Sequence, residues 1–70
     1  MDATLVFVGR DSWSRPVYTY NDRYYVDVNP VSDRPPVLCT KLNNAFDGEP
    51  DTPIRDDVHI TFSPKRDTWR

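Results

Sequence analysis

The chain has 70 residues, a formal net charge of −2, 37% hydrophobic and 13% aromatic content, and one cysteine. This bounds it to one small domain, 1–70, with a core of marginal size. It excludes an internal disulfide, and Cys39 with His59 falls short of the about four Cys or His ligands of a structural zinc site.

The start, "MDATLVFVGRD", lacks the basic opening and long apolar core of a signal peptide, so a cytoplasmic location is expected. No stretch approaches the ~20 apolar residues of a membrane span. The first predicted strand is "TLVFVGR", residues 4–10, whose continuous apolar run suggests burial on both faces, or on one face with a hydrophobic partner on the other. Gly9 ends it or makes a bulge. Trp13, in the loop that follows, is expected to plug one end of the sheet.

"RPVYTY-ND-RYYVDV" reads as a β-hairpin over 15–20 and 23–28, with Asn21-Asp22 as a turn that tolerates positive φ. Alternation pairs Tyr20 with Arg23 and Tyr18 with Tyr25, giving an aromatic face and a Val-rich face. "VLCT", 37–40, is a short strand, and Cys39 within it is expected to be a buried small hydrophobe. "KLNNAFDGEPDTPIRDD", 41–57, is a long irregular segment of the kind that is often functional. The last strand is "VHITF", 58–62, with His59 on its solvent face. Residues 64–70 form a loose basic tail that carries Trp69, which is either a docked anchor or an exposed contact.

Seven prolines leave little room for helices. The expected fold is all-β: a small antiparallel sheet or partly open barrel of four or five short strands. The alternative is an α+β domain with one short helix near 41–46.

Charge is uneven. Residues 47–57 hold five acids against Arg55, whereas residues 58–70 hold three bases against Asp67. The acids of "FDGEPDTP" do not match a calcium loop, because Gly48 follows the first acid rather than the third. Pro50 and Pro53 also oppose wrapping around an ion, so no metal site is expected. One Cys and one His without a local motif give no catalytic site, and no cofactor is implied.

Tyr, Trp and Arg are enriched at interface hot spots, so the candidate partner-binding residues are Tyr18, Tyr20, Tyr25, Asp47, Glu49, Asp51 and Trp69. The expected function is a non-enzymatic protein-interaction module meeting a protein with a basic surface, and a homodimer is a further expectation. The alternative is a small barrel that stacks single-stranded nucleic acid on the tyrosines beside Lys65, Arg66 and Arg70. The slightly acidic balance disfavours it.

"VGRDSW-RPVY", "DVNP" and "FDGEPDTPI" together resemble a family of small bacterial proteins often associated with mobile elements. The resemblance implies a bacterial, cytoplasmic accessory protein. It implies no activity, cofactor or catalytic residue.

Overall fold

The computed structural model describes residues 2–55 and 57–69. Six strands form one sheet: β1 (Asp2–Arg10), β2 (Pro16–Tyr20), β3 (Arg23–Asp27), β4 (Leu38–Lys41), β5 (Pro50–Pro53) and β6 (His59–Ser63). Their spatial order is β5-β4-β3-β2-β1-β6. Neighbours are antiparallel except β1 and β6, which run parallel. The protein is therefore all-β. Among the described residues it has six strands rather than four or five, the sheet is mixed rather than antiparallel, and it does not close into a barrel. The helix considered near 41–46 is only a 3-10 turn, Leu42–Asn44, within which Asn43 takes φ 56°. Left-handed backbone of that kind stops an α-helix.

The hairpin carries the expected register, Tyr20 with Arg23 and Tyr18 with Tyr25. Asn21 and Asp22 have φ of 52° and 64°, which matches the right-handed twist of the flanking strands. Its aromatic face is the core. Leu5, Tyr18 and Leu38 are buried together, and Phe7, Tyr20, Tyr25, Ile54, Ile60 and Phe62 pack against them. The Tyr18 ring lies 4.9 Å from Phe62 and 5.8 Å from Phe7, in tilted and edge-on arrangements.

β1 does not bury both faces. Ala3 and Leu5 are buried, while Thr4, Val6 and Val8 are exposed. Its register shifts between Phe7 and Gly9, and Gly9 has φ 147°. This is the bulge, at a conformation that favours glycine.

The opposite face holds Val17, Val26 and Cys39, all buried. The connection from β4 to β5 folds back toward β1–β3. Asn44 accepts from the Tyr24 N–H at 2.8 Å and donates to the Asp22 carbonyl at 2.9 Å. Phe46 packs edge-on to Tyr24, and a Cβ at Gly9 would lie 3.5 Å from the Phe46 ring. Segment 41–57 is thus not wholly irregular, because it contains β5. Proline is tolerated there because β5 is an edge strand.

The tail is tied down rather than loose. The Asp67 N–H donates to the Tyr18 hydroxyl at 2.9 Å, and the Trp69 N–H to the Pro30 carbonyl at 2.8 Å. Arg66 donates to the buried Asp27 carboxylate and to the carbonyls of Val31 and Arg34. Asp27 also accepts the N–H groups of Asn29 and Val37, so one carboxylate fastens the tail and the 28–37 connection to β3.

Candidate functional site

The turn between β1 and β2, residues 11–15, is built around one buried acid. Asp11 Oδ1 accepts the N–H groups of Trp13 and Arg15, each at 2.9 Å. Asp11 Oδ2 accepts from Lys41 Nζ at 2.6 Å and Arg15 Nε at 3.2 Å. The side chains of Asp11 and Lys41 are fully buried. Burial pushes the Asp11 carboxyl up. The hydrogen bonds from Lys41 and the Arg15 backbone, with both positive charges, outweigh that and hold it below its ordinary value. Ser14 takes φ 62°, a conformation non-glycine residues rarely adopt, and its N–H donates to the Asp11 carbonyl at 2.8 Å.

Around this turn stand both tryptophans of the chain. Trp13 is 58% exposed and Trp69 is 49% exposed. Trp69 Nε1 donates to the Ser14 carbonyl at 2.7 Å, which ties the second indole to the turn that carries the first. The Arg15 guanidinium lies 5.2 Å from the Trp13 ring centre. Arg15 Nη2 is buried without a hydrogen-bond partner, and the Trp13 ring offsets that cost. The Ser12 N–H donates to Asp47 Oδ1 at 2.9 Å, placing one acid of the 42–49 loop at the turn. Arg10, next to Asp11, forms an ion pair at 2.8 Å with Asp67, two residues before Trp69. What the arrangement offers is one indole on a pre-ordered turn, with a second indole and one carboxylate tied to that turn.

Of the predicted partner-binding residues, Asp47 and Trp69 meet here. Tyr18 is fully buried and cannot contact a partner, and Tyr20 and Tyr25 are half-buried against the core. The tyrosine face is occupied because β1 and β6 place Leu5 and Phe62 on it. Glu49 is exposed, its carbonyl accepting the Leu42 N–H, and Asp51 is exposed on edge strand β5. The acids therefore do not converge. Among the described residues, no three of His, Cys, Asp and Glu gather as a metal site would require. Cys39 and His59 lie on β4 and β6, with three strands between them in the sheet. Burial, and then the charge of Asp27, raises the Cys39 thiol and keeps it protonated.

Trp13 was expected to plug the sheet and instead projects outward. Its signal lay in Asp11: an acid followed by Ser-Trp-Ser is a side chain able to cap its own turn. What the sequence did not reveal was Lys41 as the buried counter-charge.

Fold and site together define a small all-β domain with one open mixed sheet and an aromatic turn at its surface. No protein-family model, no curated protein and no solved structure matches the chain. No helix among the described residues is long and apolar enough to cross a membrane.

Proposed function

We propose that the protein is a non-enzymatic interaction module, an accessory protein of the bacterial cytoplasm, that docks a protein partner on Trp13 and Trp69. One observation carries this reading: two large, half-exposed indoles flank a turn whose backbone is pinned by a fully buried carboxylate. Tryptophan and arginine dominate interface hot spots, and a pre-ordered loop loses little entropy on binding. Asp47 at the rim suits a partner with a basic group beside an apolar pocket. The nucleic-acid alternative loses its platform, because Tyr18 is in the core and Arg66 is committed to Asp27.

The test is affinity capture with the whole chain and with Trp13→Ala. Trp13 is exposed, but its ring lies over the Arg15 guanidinium, so its removal is expected to lower the melt modestly, and capture is run well below the melts of both chains. Recovery of a specific partner falls at least about tenfold, the loss expected for a hot-spot residue. Equal recovery by the folded variant refutes docking at this turn.

A further inference from the structure

Two strands of the sheet have an open side, β5 and β6, and they differ sharply. β5 reads Pro-Asp-Thr-Pro, so two of its four residues lack an N–H and a third is charged. Proline and charge are the usual devices that stop an edge from pairing. β6 reads His-Ile-Thr-Phe-Ser: no proline, no acid, no lysine or arginine, and β-branched and aromatic residues at its centre. Its inner side pairs with β1 through five residues. Among the described residues, no backbone hydrogen bond joins its outer side to another segment.

We propose that β6 pairs with β6 of a second copy of this chain, antiparallel about a two-fold axis through Thr61, joining two sheets into one. A two-fold interface must be self-complementary, and this edge is. With Thr61 opposite itself, Ile60 of each copy lies opposite Phe62 of the other, and His59 lies opposite Ser63. β-branched–aromatic and Thr–Thr pairs are favourable cross-strand neighbours, and no like charges oppose each other. Ile60 and Phe62 are half-buried on the core face, registered with buried Ala3 and Leu5, so the pairing extends each core across the joint. The flanks are opposite in sign: exposed Asp57 stands four residues before Thr61 and exposed Lys65 four after, at matching ends of the two copies. A chain this small gains stability from such an assembly. None of the 11–15 turn takes part, so failure here leaves the docking reading standing.

Sedimentation of the whole chain from about 1 µM to about 1 mM, a range that spans weak dimers, is expected to show the mass rising from 8.2 kDa to twice that. Register is tested in a Cys39→Ala background by mild oxidation of Thr61→Cys and His59→Cys, both at exposed positions. Opposed residues place their Cβ atoms about 5 Å apart, whereas the two copies of position 59 are about 13 Å apart along the strands. Thr61→Cys is expected to cross-link at least tenfold faster than His59→Cys. A monomer across the whole range, or cross-linking of His59→Cys as fast as Thr61→Cys, overturns the proposal.

Discussion

Asp11 and Lys41 are the most exacting residues of this molecule. A buried ion pair adds little net stability, but removing one partner leaves an uncompensated charge and costs about 3–5 kcal/mol. Arg15 remains beside Asp11, so Lys41→Met is expected at the lower end of that range, about 3 kcal/mol. Asp11→Asn with Lys41→Met costs less than the sum of the singles, because both act on one pair. Urea unfolding of the three variants measures this. The acid limb follows from the same carboxylate. Its folded pKa lies below the unfolded value of 3.8, so its stabilisation is fully present above that value. It disappears as pH falls through the lower folded value. The wild-type urea midpoint should therefore drop below about pH 4 more steeply than that of the double variant.

At the scale of elements, residues 47–57 read in the sequence as an acidic segment, yet the 42–49 loop that leads into it works as a cover over Tyr24 and Gly9. Its closure depends on Gly48, where an added Cβ would come within 2.5 Å of the Leu42 carbonyl oxygen and 3.1 Å of that of Ala45. Both obstacles are backbone, so they cannot swing aside as side chains do. Gly48→Ala is expected to lower stability by about 1–3 kcal/mol, the usual toll of a clash that the loop must relieve by moving. A thermal melt reads it, together with faster amide exchange at Leu42, whose N–H bonds the Glu49 carbonyl. The hairpin shows the reverse relation. Its turn, its register and which residues share a face were legible, because alternation and an Asn-Asp turn are local properties.

For the whole molecule, the tail acts as part of the core. Removing residues 66–70 takes Arg66 from the buried Asp27 and the Asp67 N–H from the Tyr18 hydroxyl. Stripping the partner from a buried charge costs about 3–5 kcal/mol. The full stability of a chain this size is of similar magnitude, at about 0.05–0.15 kcal/mol per residue. The shortened chain is expected to lose most of its folded population at 25 °C, read as lost near-ultraviolet signal from Tyr18 and Trp13. A melt within a few degrees of wild type would show that the tail is dispensable.

By itself the sequence determined the all-β class and the hairpin, and it marked Gly9 as a strand end or a bulge, since these rest on alternation, proline placement and turn chemistry within a few residues. The tertiary structure alone decided which side of the hairpin is core. Tyr18 faces inward because β6 returns parallel to β1 and sets Ile60 and Phe62 over it, a pairing between residues 57 apart in the chain that no local pattern encodes. The same long-range closure chose the functional surface. It buried the tyrosines and brought Trp13, Asp47 and Trp69, far apart in sequence, to one turn held by Asp11.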